Sequence, residues 1–277
     1  MTVPMPSPTL WNTRGGSAWV DLQPMLDAMF QPFEALLAEA IPEGARRVLD
    51  VGCGAGATTL ALAKRLGDGG TCTGLDVSEA LVDLARRRAE AEGVAGARFV
   101  VGDGQRHDFG DARFDAVVSR FGVMFFDDPE TAFARLRAAT GDGAAMTLIV
   151  WRGPEDNPFM TAAERAAAPL LPELKPIDTD GPGQFGFADP ERVRSLLRPS
   201  WGEVEIQPLD VDCTITAADL ETYAVRMGRV AHLLPDLEPE RRDAVIAAVR
   251  DGFAPFVTGD TTGFTAACWI VRGTASQ

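Results

Sequence analysis

The chain has 277 residues, enough for one large α/β domain with a generous core, or for a domain plus a small cap. Apolar residues make up 46% and charged residues 24%, which argues against global disorder. A formal net charge of -14 repels phosphate backbones and anionic membrane surfaces, so neither nucleic acid nor membrane is an expected partner.

Residues 1–10 hold three prolines, and no Lys or Arg precedes Arg14, so this stretch does not read as a signal peptide and a cytoplasmic location is expected. Residues 21–40 carry Leu22, Leu26, Met29, Phe33 and Leu36–Leu37 at helical spacing, with Pro32 able to divide the segment in two. Strands and helices then alternate. Residues 47–51 form a first strand and 57–66 a helix; residues 71–76 form a second strand. Ser78 is placed as the N-cap of a helix ending near Gly93. Residues 98–101 and 114–119 form the third and fourth strands. Asp128-Pro129 opens the next helix, and residues 145–151 form the fifth strand. Such alternation implies a parallel sheet with helices on both faces and right-handed crossovers. No apolar run approaches the roughly 20 residues that a membrane helix needs.

After Trp151 the rhythm changes. Residues 152–186 are rich in Pro and Ala, with one helix after Asn157-Pro158. Asp189-Pro190 starts another, with Val193, Leu196 and Leu197 as its buried face. Residues 203–215 are β-like. Thr216 and Asp219 resemble a capping box opening a helix that carries Leu220, Tyr223 and Met227. A helix over 239–250 and a strand over 264–271 close the chain. The helices between about 216 and 257 are read as a cap inserted between the last two strands.

The string Asp50-Val51-Gly52-Cys53-Gly54-Ala55-Gly56 joins the first strand to its helix. Three glycines on alternate positions permit positive φ and let a ligand approach bare backbone. Taken alone the string is ambiguous, because Gly52, Gly54 and Ala57 also satisfy a dinucleotide fingerprint, and a tight turn without a ligand is a further reading. Asp76 ends the second strand, where a carboxylate can accept both hydroxyls of a ribose, in a nicotinamide or a sulfonium nucleotide alike. The Asp103-Gly104-Gln105 loop after the third strand can meet the amino edge of an adenine, or be a plain surface turn.

Taken in order, D-V-G-C-G-A-G, G-L-D-V-S, V-G-D-G-Q and F-D-A-V-V-S-R-F-G-V-M-F-F resemble the class I methyltransferases that use S-adenosylmethionine (SAM), in particular the ubiquinone/menaquinone-type and related small-molecule enzymes. The resemblance covers residues 45–152 and extends more weakly to Trp11-Asn12 and Trp19. It implies a Rossmann-like seven-stranded sheet, mostly parallel with an antiparallel last strand, helices on both faces and a small helical cap. The implied division is an N-terminal helical lid segment over 1–40, a SAM-binding core over 41–152, and 153–277 completing the core and carrying the cap. Gly52, Gly54 and Gly56 would line the methionine and ribose of SAM, with Asp50 beneath the loop near the amino group. Asp76 would hold the ribose hydroxyls, and Val77 would pack on adenine. Asp103, Gly104 and Gln105 would face the adenine edge, Ser119 and Phe121 would flank the transferred methyl, and Trp11 would close over the cofactor. Gly141-Asp142-Gly143 stands where the family often has Pro-Gly-Gly, and no Asn/Asp-Pro-Pro-Tyr string follows the fourth strand, which counts against methylation of nucleobase amino groups.

In-line methyl transfer draws most of its acceleration from alignment and exclusion of water. A base is needed only where the acceptor must lose a proton, and with two Lys, two His and one Tyr the choices are His232, Tyr223 and His107. Phe121, Met124, Phe125, Phe126, Trp151 and Trp11 suggest an apolar pocket for a planar or apolar small molecule, or plain core packing. The four cysteines lack C-x-x-C spacing, so no metal is expected. Two rival readings stay open: a SAM-binding protein without transferase activity, and a nicotinamide oxidoreductase. The latter is disfavoured because Met227 stands where a Tyr-x-x-x-Lys relay from Tyr223 would need lysine.

Overall fold

The computed structural model describes Trp11, Asn12 and residues 14–275. The Pro-rich start, residues 1–10, lies outside the described residues.

Among the described residues, three short helices precede the first strand: α1 (Arg14–Asp21), α2 (Gln23–Phe30) and α3 (Pro32–Glu39). The break at Gln31 is the one that Pro32 predicts within residues 21–40; a second, at Leu22, separates off α1, which ends where that stretch begins. Pro24 and Pro32 each sit in a first helical turn, where a missing N–H costs nothing. Met25, Leu26, Met29, Phe30, Phe33 and Leu37 form their continuous buried face.

The core alternates as β1 (Arg47–Val51), α4 (Ala57–Leu66), β2 (Thr71–Asp76), α5 (Glu79–Ala91), β3 (Ala97–Val101), β4 (Phe114–Arg120), α6 (Pro129–Ala138) and β5 (Thr140–Trp151). Then follow α7 (Ala162–Ala167), α8 (Pro190–Trp201), β6 (Val204–Thr216), α9 (Ala217–Arg226), α10 (Gly228–Leu233), α11 (Pro239–Phe253), the two-residue β7 (Val257–Thr258) and β8 (Thr261–Thr274). The strand order is β3-β2-β1-β4-β5-β8-β6, with β7 paired to β8. β1 to β5 pair in parallel, whereas β8 runs antiparallel to both β5 and β6. This is the mostly parallel, Rossmann-like sheet with an antiparallel last strand.

β4 and β5 are buried on both faces and read as continuous apolar runs, as parallel strands between helices must. β5 begins five residues earlier than its apolar run, because Thr140 pairs with Phe114 and Gly141-Asp142-Gly143 lie in the bulge before pairing resumes between Ala145 and Ala116. Asp128 and Asp189 cap α6 and α8 by accepting from the N–H of Thr131 and Glu191. Thr216 Oγ1 accepts from the Asp219 N–H at 3.0 Å and caps α9. Ser78 holds the N-cap position of α5 without using its side chain; its Oγ is buried and has no hydrogen-bond partner among the described residues, while the Asp76 carboxylate takes its N–H.

Between β6 and β8 the chain leaves the sheet as α9, α10 and α11. They pack on α7 and on an aromatic cluster in which Phe159 stacks on Phe264 at 4.0 Å and meets Phe253 at 5.1 Å and Tyr223 at 5.7 Å. Buried Asn157 pins the loop after β5 to β8, donating to the Ala267 carbonyl and accepting from the Ala267 N–H, both at 2.9 Å.

Candidate active site

The β1–α4 turn sits where strand order reverses between β1 and β4, the place where open α/β sheets bind ligands. Gly52, Gly54 and Gly56 have φ of 72°, 53° and 86°, conformations that cost an L side chain dearly. The turn is held from below, because the Gly52 and Cys53 N–H groups both donate to the Leu75 carbonyl. Gly54 faces open space, with nothing within 4 Å of where a Cβ would stand. Gly52 is different: a Cβ there would lie 2.6 Å from the Gly122 Cα, so the turn and the end of β4 touch backbone to backbone.

Asp76 stands beside this turn at the end of β2. One carboxylate oxygen accepts from the Gly54 N–H at 2.8 Å and the other from the Ser78 N–H at 2.9 Å. Burial raises its pKa, and the backbone donors oppose that rise. Each oxygen keeps a further lone pair, which suits a pair of vicinal hydroxyls. After β3, one Asp103 oxygen accepts from both the backbone and side-chain N–H groups of Gln105, and the Gln105 side-chain Oε1 accepts from the Asp128 N–H at 2.6 Å. Asn12 clips the β2–α5 loop by donating to the Val77 carbonyl at 3.0 Å.

A cavity of about 440 Å³ joins these parts. Gly52, Gly54, Asp76, Val77, Asp103, Gly104 and Gln105 line one half. An open glycine cradle beside a two-oxygen acceptor and a polar loop fits an adenosyl ligand. The other half is aromatic: Phe121 stacks on Trp151 at 4.5 Å, Phe30 meets Phe121 edge-on at 5.6 Å, and Trp11 meets Phe125 edge-on at 5.1 Å. Phe121 is the one non-glycine with positive φ among the described residues, at 63°, a strained conformation of the kind found at binding sites. Beyond the aromatics, Tyr223 of α9 and His232 of α10 reach the same wall.

Trp11, Gly52, Gly54, Asp76, Val77, Asp103, Gly104, Gln105, Phe121, Tyr223 and His232 are thus brought to one cavity. Four others are not. Asp50 is 1% exposed beneath the turn and accepts from Thr59 Oγ1 at 2.6 Å, so it supports α4 rather than facing a ligand. Gly56 starts α4, and a Cβ there would strike Ala85 and Phe99, so its role is close helix–strand packing. Ser119 is fully buried and donates to the Val51 carbonyl at 2.7 Å, bracing β4 against β1. His107 lies behind Gly102, its ring edge-on to Phe109 at 4.8 Å. Tyr223 is a poor base, since burial raises its pKa and its hydroxyl points at Met160 Sδ, 3.8 Å away.

No signal in the sequence marks two contacts that shape the turn. Arg88 of α5 donates to the Ala55 carbonyl at 2.5 Å and to Asp27 of α2 at 2.6 Å, tying the glycine turn to the N-terminal helices. Gly122 is the partner that Gly52 requires.

Burial raises the Asp50 carboxyl to about 6, against a reference of 3.8, with the Thr59 hydrogen bond opposing. A carboxylate whose folded pKa lies above its unfolded one binds more protons in the folded state across that window. Its contribution to stability therefore falls as pH rises from about 4 through about 6. Asp50→Asn lacks this slope. Relative to wild type, the variant should gain up to about 3 kcal/mol between pH 4 and pH 7 in urea denaturation. A constant difference across that range would show that Asp50 titrates normally.

Comparison with known proteins follows the same outline. A family model described as a methyltransferase domain matches residues 48–143. Nocamycin O-methyltransferase of Saccharothrix syringae is 29% identical over 256 residues, covering 84% of this chain and 87% of that protein. A demethylmenaquinone methyltransferase of Deinococcus radiodurans is 29% identical over 172 residues, covering 59% of this chain and 70% of that one. Among solved structures, the YcgJ protein of Bacillus subtilis has a TM-score of 0.58 at 18% identity, covering 89% of this chain and 99% of its own, a likeness of fold alone.

Proposed function

Because this chain is a class I SAM-dependent methyltransferase with SAM as its cofactor, we propose that it methylates a small apolar or aromatic metabolite at oxygen or carbon. The observation that carries this reading is the single cavity in which the glycine cradle and Asp76 open directly onto the Phe30–Phe121–Trp151 cluster. Bound SAM supplies a methyl group on a sulfonium, whose C–S electron pair stays on sulfur as the acceptor's pair forms the new bond. What the protein adds is alignment and dryness. Flat aromatic walls hold a planar acceptor in one plane, and the N-terminal helices and α9–α10 close the cavity from both sides.

Under this reading residues 1–40 act as a lid, 41–152 as the SAM-binding core, and α9–α11 as a cap within the C-terminal part, 153–277. The two relatives, named for nocamycin and demethylmenaquinone, make natural products and quinones the first acceptor classes to test. The net charge of -14 disfavours nucleic acid, and no described helix is long and apolar enough to cross a membrane. The four cysteines are free and buried, which suits a cytoplasmic location.

The test is transfer of labelled methyl from SAM to a panel of hydroxylated naphthoquinols, anthraquinones and hydrophilic amines. Label in the aromatic products supports the reading, and label confined to the amines would overturn it. Within that assay His232 and Tyr223 should separate. His232→Ala should raise the acceptor KM by about tenfold with little change in kcat, as loss of a polar anchor does. Tyr223→Phe should stay within about threefold of wild type, because the hydroxyl faces Met160. A kcat loss of about 100-fold in His232→Ala would instead mark a general base.

A further inference from the structure

Arg120, the last residue of β4, lines the aromatic half of the cavity next to strained Phe121. Its side chain is 11% exposed, yet it is poorly matched inside the protein. One Nη donates to the Phe30 carbonyl at a long 3.3 Å, the nearest carboxylate is Glu34 at 4.0 Å, and the guanidinium lies 5.9 Å over the Phe30 ring. A guanidinium carries five N–H donors in a planar fork. The other carboxylates of this region are committed elsewhere: Asp27 accepts from Arg88 and Gln23, each at 2.6 Å, and Asp50 accepts from Thr59. A largely buried cation is costly to leave undercompensated, and the Glu34 carboxylate, at 4.0 Å, meets it only at the outer limit of an ion pair.

We propose that Arg120 is a binding residue for an ionised oxygen on the acceptor, a phenolate or enolate whose ring lies against Phe30, Phe121 and Trp151. The inference rests on the reading of an aromatic acceptor and sharpens it to acceptors that carry an acidic hydroxyl on the ring. An anionic acceptor entering a protein of net charge -14 needs a local cation, and Arg120 is the one set into the aromatic cluster itself. Held there, the oxygen arrives already deprotonated, so transfer needs no general base.

The experiment titrates protein saturated with S-adenosylhomocysteine (SAH), calorimetrically, with two probes. One is 2-hydroxy-1,4-naphthoquinone, an enolate at neutral pH; the other is 2-methyl-1,4-naphthoquinone, its uncharged counterpart. Wild type should bind the enolate at least about tenfold more tightly, as expected for charge-assisted hydrogen bonds. Arg120→Gln should bring the two affinities together, and Arg120→Lys should keep part of the preference. SAH affinity should stay within about twofold in both variants. A residue that merely held α2 would change the melting temperature and both probes alike. Should Arg120→Gln not fold, the graded loss in Arg120→Lys carries the test. Equal binding of the probes by wild type overturns the inference and leaves the aromatic-acceptor reading standing, whereas uptake of neither overturns both. Loss of SAH affinity in Arg120→Gln would overturn the inference by assigning the side chain to the cofactor's carboxylate.

Discussion

Replacing Asp76 with alanine is expected to cut affinity for SAM and SAH by about 100-fold or more. The carboxylate has two duties. It accepts from the Gly54 and Ser78 N–H groups, which sets the glycine turn and the β2–α5 loop at a fixed separation. Its remaining lone pairs face the cavity, where two ribose hydroxyls can reach them. Two charge-assisted hydrogen bonds at the low end of their range, about 1.5 kcal/mol each, already amount to roughly 100-fold. Alanine also leaves two backbone donors without an acceptor, so the cradle loosens where the ligand must dock. The fold itself should suffer less, because removing a carboxylate whose pKa burial raises also removes a desolvation cost. The measurement is titration of SAH into wild type and Asp76→Ala, with the ligand-free melting temperatures compared. Binding within about threefold of wild type would mean that the ribose lies elsewhere.

The part of this molecule written most openly in the sequence is the part that repeats. β1 to β5 declare themselves by short apolar runs between amphipathic helices, and Asp76 and Asp103 by their place at strand ends. The site was less legible wherever it depends on which side of a strand end a residue occupies. Asp50, Ser119 and Asp76 all sit near the carboxyl edge of the sheet, but only Asp76 faces the cavity. Asp50 and Ser119 turn inward to Thr59 and to the Val51 carbonyl, and no spacing rule separates these outcomes. Gly56 follows the glycine pattern, yet its need is the crowding of Ala85 and Phe99, residues from α5 and β3 that only folding brings there. Nothing in the sequence marks Arg120 or Arg88, and only tertiary structure sets one against Phe30 and the other against Ala55.

That contrast between glycines is open to direct test, since the same methyl group added two residues apart should do different things. At Gly52 the new Cβ would stand 2.6 Å from the Gly122 Cα with φ at 72°. Backbone meets backbone there, so neither side can turn a rotamer away, and the turn or β4 must move. Gly52→Ala should lose about 3 kcal/mol or more in urea denaturation, with SAH binding lost as a consequence. At Gly54 φ is 53° and nothing lies within 4 Å of the added carbon. Gly54→Ala should cost the free protein only the left-handed penalty of about 1–2 kcal/mol. The methyl nevertheless projects into space the ligand needs, so SAH affinity should fall by about tenfold, and Gly54→Val should abolish binding in a protein that still folds. Equal stability losses at the two positions would remove the distinction between a glycine that lets the chain cross itself and one that leaves room for a cofactor. Undiminished SAH binding by Gly54→Val would go further and take the cradle away from the adenosyl ligand altogether.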